Sequence, residues 1–201
     1  MTQIKPFKEE FMVKALVAAL ALSFGVSAFA APSVTEVIVQ AQMPAIMDQA
    51  HTQGLDWKVG DTANYNIDMG FIKGTMNEGV KSVGADGIWM TQAMDLGFAG
   101  KQNVETLIDP NTGAIKKMLV NGKEQEVPKQ NVEVVEVKED HITVPAGAFD
   151  CVHARLKDKD KGDEINAWIN PQLIPLSGML KQVAPSQFGE VTVELTAYHK
   201  N

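Results

Sequence analysis

Cys151, His153 and Arg155 stand two residues apart in a run whose intervening residues are Val152, Ala154 and Leu156. A strand here places thiol, imidazole and guanidinium on one face, and a thiol beside a histidine base is the pairing of a cysteine nucleophile. Side chains at i and i+2 of a strand stand about 7 Å apart, however, and no local signature of a cysteine hydrolase surrounds them. Asp140 and His141 are adjacent, so they point to opposite faces of a strand. Met43, Met47 and His51 recur every four residues, which on an unbroken helix gives two thioethers and an imidazole on one face, a soft donor set suited to Cu(I). Pro44 interrupts that face, and no M-x-M-x-M cluster supports it. The acidic run from Asp158 to Glu164 offers oxygen ligands but fails the EF-hand pattern: Gly162 comes one place early and the twelfth position falls on Ile169. That run reads as a charged hairpin turn. G-x-S-x-G, H-E-x-x-H, C-x-x-C and a glycine-rich loop opening a helix do not occur. The expectation is therefore a protein that is not an enzyme, with no metal or other cofactor.

The start of the chain says where it works. Lys14, the apolar stretch Ala15 to Val26 and the small-residue sequence Ser27-Ala28-Phe29-Ala30 form a secretory signal with an A-x-A cleavage site. Cleavage is expected after Ala30 or Ala31. Translation begins at Met1 or at Met12, which alone would open a compact signal. The apolar stretch is shorter than the roughly 20 residues a bilayer-spanning helix needs, and no later segment approaches that length. The mature chain is expected to be periplasmic, soluble and not integral to a membrane. Its only cysteine, Cys151, leaves no lipid-bearing cysteine at a new N-terminus and no internal disulfide, so the core must supply the stability. Of the 201 residues, 45% are hydrophobic and 21% charged, values of an ordinary globular domain. Cleavage removes three lysines and two glutamates, taking the net charge from −7 to −8. Nucleic acid is thus not an expected partner, and anionic membrane surfaces should repel the chain.

The elements that must position any site follow from periodicity. Ser33 and Glu36 have capping-box spacing, and Val34, Val37, Ile38, Ala41, Ala45 and Ile46 recur near helical period, predicting a helix from Ser33 to His51. Pro44 should kink it, and Gly54 should end it. From Trp57 onward the pattern alternates, first through Ala63, Tyr65, Ile67 and Met69. The same period recurs in residues 88–94, 104–108, 114–120, 132–137, 152–156, 165–169 and 191–197. Turn chemistry separates the runs, clearest at Asp109-Pro110-Asn111-Thr112-Gly113 and Asn121-Gly122. Short strands joined by tight turns make an antiparallel meander that curls. The expected fold is mainly β (α+β): a strongly curved antiparallel sheet or incomplete β-barrel, with a kinked N-terminal helix packed in or across its mouth. Residues 31–56 form the helical segment and 57–201 the half-barrel, together one domain. No internal repeat, low-complexity tract or second domain is apparent.

The C-terminal third holds Val144-Pro145-Ala146-Gly147-Ala148-Phe149-Asp150-Cys151, read as a strand ending in a tight turn. It is followed by Ala167-Trp168-Ile169-Asn170-Pro171 and Pro175-Leu176-Ser177-Gly178-Met179-Leu180-Lys181. With the order of elements, these segments resemble the periplasmic lipoprotein-carrier family of LolA/LolB-like half-barrels and a related group of exported proteins. That resemblance implies a half-barrel under a helical lid, with acyl chains held inside. Nothing here aligns with the lid arginine of the chaperone branch.

Eight methionines survive cleavage. They form either a plain core or an adaptable lining for an apolar ligand. The candidate ligand-binding residues are Met43, Ile46, Met47, Met69, Phe71, Met90, Met94, Met118, Trp168 and Met179. Trp168 lies on the face opposite Ile165, Ala167 and Ile169, so it faces the concavity or water. The expected function is binding or carriage of an apolar small molecule, an acyl chain, lipid or lipidated polypeptide. The alternative is an envelope assembly or structural protein that binds another envelope protein, and Cu(I) binding is a distant third.

Overall fold

The computed structural model describes residues 42, 44–47, 49–51, 54–128, 132–186 and 189–201. The signal sequence and the first part of the expected helix, including the capping box, lie outside these residues. Eleven strands form one open antiparallel sheet: β1 (Thr62–Met69), β2 (Ile72–Gly84), β3 (Gly87–Asp95), β4 (Lys101–Ile108), β5 (Ile115–Val120), β6 (Lys123–Gln125), β7 (Val132–Val144), β8 (Gly147–Asp158), β9 (Glu164–Ile169), β10 (Met179–Ser186) and β11 (Gly189–His199). The spatial order is β6-β5-β4-β3-β2-β1-β11-β10-β9-β8-β7. Every neighbour is a neighbour in sequence except at the centre, where β1 pairs with β11. The first and last strands thus close the middle, while β6 and β7 are left as the two edges.

The mainly β, incompletely closed fold is the one the alternation predicts. Directly paired residues lie on the same side of a sheet, so the register defines its inner face. One row runs Ile67, Val193, Gln182, Ala167 and Ala154 from β1 to β8. A second runs Val80, Met90, Thr106 and Met118, and Met94, Met76, Tyr65 and Leu195 form a third. All of these side chains are buried. Register shifts interrupt the β1–β11, β2–β3, β4–β5, β7–β8 and β9–β10 ladders, and such bulges bend a strand and increase its twist. Curvature is therefore built into five of the ten strand pairings.

Residues 42, 44–47 and 49–51 are helical, and Ile46 and Ala50 belong to the same hydrophobic cluster as the inner face. Gly54 ends the helix as expected: at φ +73° its N–H donates to the Ala50 carbonyl (3.0 Å), a left-handed C-terminal cap. The turn between β4 and β5 holds the helix from outside. Gly113 has φ +69°, and a Cβ there would lie 2.6 Å from Met47 Cα and 2.9 Å from the Ile46 carbonyl oxygen. Leu55 N–H donates to the Pro110 carbonyl of the same turn (3.0 Å).

Three features differ from expectation. β2 and β10 are full central strands that the alternation did not announce: β2 carries Gly74 and Glu78 at inward positions, and β10 begins with a bulge. Gly74 is required there, since a Cβ would meet the Asp95 carbonyl oxygen at 2.6 Å. Val144 to Cys151 is not one strand ending in a turn. Val144 closes β7, Pro145 and Ala146 turn, and Gly147 opens β8, because Gly147 adopts φ +139°.

Candidate functional site

Met69, Met76, Met90, Met94, Met118 and Met179 join Ile46 in one buried cluster, with Met47 packed partly against it. The alternation of a strand forces this convergence, since Met76 and Met94 are direct cross-strand partners and Met118 shares a row with Met90. Met43 lies outside the described residues. Phe71 does not join them. It occupies the β1–β2 turn and is 68% exposed, because a two-residue connection points its side chains off the end of the sheet rather than into it.

Within this apolar wall sits a carboxylate. Glu78 is 0% exposed, on the inner face of β2 between Met76 and Val80, and its direct partners are Ala63 on β1 and Gln92 on β3. Its Oε1 accepts hydrogen bonds from Gln92 Nε2 (2.8 Å) and from Gln42 Nε2 (2.6 Å) of the helix. The two amides also pair with each other, Gln92 Nε2 donating to Gln42 Oε1 (2.6 Å). Ser177, from the segment joining β9 to β10, donates to Glu78 Oε2 (3.4 Å), and the neighbouring Tyr65 hydroxyl donates to the Met179 carbonyl (3.3 Å). Helix, β3 and the β9–β10 segment thus converge on one buried anion.

Removal from water disfavours the charged form, and burial pushes the Glu78 carboxyl up to about 6; the hydrogen bonds from Gln92, Gln42 and Ser177 hold it from rising further. Burial, followed by the nearby Glu78 charge, keeps the Tyr65 hydroxyl well above its ordinary value. The site can hold a helix in place and take up a proton.

The other face of β7, β8 and β9 holds the thiol and histidines. Cys151, His153 and Arg155 do share a face, but they do not form a nucleophile pair. Cys151 Sγ donates to the Asp140 carbonyl (3.5 Å), and burial, then Asp140 and Asp150, push its thiol up to about 11. His153 stacks on Trp168 with ring centroids 4.3 Å apart and an interplanar angle of 2°, while its Nε2 meets Asn166 Oδ1 (2.9 Å). Trp168 Nε1 donates to Asp140 Oδ2 (2.9 Å). Ala167, by contrast, lies in the inner row. The expectation that Trp168 opposes the apolar trio is met, and from that face it packs, partly buried, against the same hydrophobic cluster that holds the methionines. His141 Nδ1 meets its cross-strand partner Asp150 (2.8 Å), not the side chain of Asp140.

Met47 is half-buried and His51 exposed. Among the described residues no group of three His, Cys, Asp or Glu side chains is arranged to hold a metal ion. The acidic run is a hairpin turn, with Asp158 N–H donating to the Asp163 carbonyl (2.8 Å) and Asp158 Oδ1 accepting from the Asp160 and Lys161 amides. No helix among the described residues is long and apolar enough to cross a membrane.

Glu78, Gln42, Gln92, Tyr65 and Ser177 are not among the candidates drawn from the sequence. The available signal was positional: Met76, Glu78 and Val80 stand two apart, so an inward Met76 and Val80 put Glu78 inside as well.

No family model matches the chain, and no curated protein matches it. Among solved structures it is similar to MucB, at 10% identity and a TM-score of 0.44, over 82% of this chain and 59% of that one. The MucA/MucB complex of Pseudomonas aeruginosa gives 11% identity and a TM-score of 0.44, over 81% and 56%. A predicted exported protein with a YmcC-like fold from Bacteroides fragilis gives 10% and 0.38, over 73% and 99%. The chain spans about three fifths of the MucB chain it matches.

Proposed function

We propose that this is an exported envelope protein that works by binding a polypeptide partner, without catalysis and without a resident lipid in its concavity. The observation that carries this reading is the Glu78 network. A helix covering a ligand cavity must leave it, and here departure would strip a buried carboxylate of its 2.6 Å bond from Gln42. An unsatisfied buried charge is among the costliest defects in a core. The inner face is thus filled by the protein's own side chains, which leaves the sheet's outside and its edges to meet a partner. The longer edge, β7, spans 13 residues and exposes Glu133, Glu136 and Glu139, so a strand added there would be basic.

A second reading has an observation of its own: six buried methionines on one wall suit an adaptable apolar site. Native mass spectrometry with organic extraction, on mature protein purified gently from the periplasm, separates the two. The expected result is a clean apo mass and no binding of added fluorescent fatty acid. A co-purifying fatty acid or phospholipid would overturn the partner-binding reading in favour of the carrier. Charge reversal of Glu136 and Glu139 to lysine is expected to weaken capture of a basic extended peptide.

A further inference from the structure

The two sides of the β7 edge differ in chemistry. Cross-strand pairing sets Val134 and Val137 beside Leu156 and Ala154 on the inner face, and Glu133 and Glu136 beside Lys157 and Arg155 on the outer face. Val135 is the extra residue of a bulge, so two residues of β7 stand opposite one of β8 at that point. β8 therefore keeps a strict two-residue alternation, Ala154-Arg155-Leu156-Lys157, apolar inside and basic outside.

Behind the valines lies a second hydrophobic cluster, separate from the one beneath the helix. Val132, Ala154, Leu156, Ile165 and Ala184 are buried in it, while Val134 and Val137 pack against it half-buried. Among the described residues, no helix residue belongs to this cluster. Its apolar surface thus runs out to the sheet edge and stays partly open there. On the outer side Glu133 and Glu136 are exposed, and their ion pairs with Lys159 and Arg155 measure 3.8 and 3.9 Å. Those distances exceed hydrogen-bond length, so both carboxylates can still accept donors. The far half of β7 is closed off instead. Val144 is buried in the main cluster, Ile142 packs against it, and the following Ala146 N–H donates to the Leu195 carbonyl of β11 (3.0 Å). The open stretch is residues 132–139.

We infer that the partner segment is an extended strand in which apolar and basic residues alternate, as they do in β8, added along residues 132–139 of β7. The inference rests on the partner-binding reading above and supplies the partner's sequence pattern. Successive side chains of an added strand fall on opposite faces. One set extends the second cluster over Val134 and Val137, and the other meets Glu133 and Glu136, the pairing β8 already makes from the opposite side. Opposed side chains in neighbouring strands are the contacts that stabilise a sheet. A second copy of the chain fits less well, because β7 paired with itself gathers Glu133, Glu136 and Glu139 of both copies at one edge.

The test is fluorescence anisotropy of two labelled eight-residue peptides titrated with the full mature chain. One repeats Ala-Arg-Leu-Lys, the order of residues 154–157, and its isomer repeats Ala-Leu-Arg-Lys, which puts apolar and basic side chains on both faces. The expected result is tighter binding of the first by about tenfold or more, since only it can lay all its apolar side chains on one face. Hydrogen exchange of its complex should add protection within residues 132–139. The E133Q/E136Q variant, changed at exposed positions, should keep the wild-type melting temperature and bind the first peptide about tenfold more weakly. Equal binding of both peptides, with protection gained at β7, would overturn the alternation and leave the partner-binding reading standing. Binding of neither peptide would overturn both. Protection gained only outside residues 132–139 would overturn the inference, as would a dimer of the mature chain that E133Q/E136Q strengthens, which would assign this edge to a second copy.

Discussion

Glu78 is the residue at which the physical chemistry of this protein is most concentrated. Its carboxyl is raised from 4.5 to about 6 by burial, so the folded state holds its proton more tightly than the unfolded chain. Stability from this group is fully present below pH 4.5 and is lost as pH rises through about 6. A shift of this size corresponds to about 2 kcal/mol. Glu78→Gln is therefore expected to flatten the pH dependence of urea unfolding between pH 4.5 and 7 and to leave the variant more stable at pH 7. A concerted flip of the Gln92 and Gln42 amides turns both of their oxygens toward the new amide N–H and keeps the bond between them, Gln42 then donating to Gln92 Oε1, which is otherwise without a partner. Cys151 carries the opposite lesson, since its position beside histidine suggests reactivity and its environment removes it. With its thiol near 11, about one molecule in a thousand is thiolate at pH 8, and the thiolate is the reactive form. Labelling of the folded protein by iodoacetamide at pH 8 should be far slower than labelling in 6 M guanidinium.

At the scale of elements, the helix is held at two places of different chemistry. Gln42 reaches the polar network, and Ile46 and Met47 rest against the β4–β5 turn where Gly113 leaves no room for a Cβ. Gly113→Ala forces overpacking against helix backbone and places an alanine at φ +69°. The combined cost is about 2–4 kcal/mol. Hydrogen exchange should localise it: amides of residues 45–47 and 49–51 are expected to exchange faster in the variant while those of β1 and β11 keep their protection. Uniform loss of protection would mean that the helix and sheet unfold together.

For the whole molecule, the pairing of the first strand with the last makes the sheet a single cooperative unit. β1 and β11 lie at its centre, and the final residue is tied to the start of β1, with Asn201 N–H donating to Asp61 Oδ1 (2.8 Å) and Lys58 Nζ to the Asn201 carbonyl (2.8 Å). Leu195 is fully buried in β11, so Leu195→Ala should cost about 2–5 kcal/mol. It should lower the midpoint of a single denaturation transition rather than split it in two, as fluorescence and far-ultraviolet circular dichroism together would report.

What the amino-acid order determined by itself was local. Alternation of apolar and polar residues identified most strands, Asn121-Gly122 and the Asp109 to Gly113 turn marked their hairpins, and Gly54 marked the helix end, because each depends on the geometry of a few consecutive residues. The methionines were legible as inward residues for the same reason. Only tertiary structure decided which side chains meet. Gln42 and Glu78 are 36 residues apart and Ser177 another 99 beyond Glu78, and their convergence follows from the β1–β11 pairing and the register of β2 on β3, which no local pattern encodes. β2 was hidden because a charged residue stood where alternation calls for an apolar one, and that exception is the site. Phe71 went the other way, since its apolar character suggests the interior while its place in the β1–β2 turn carries it out.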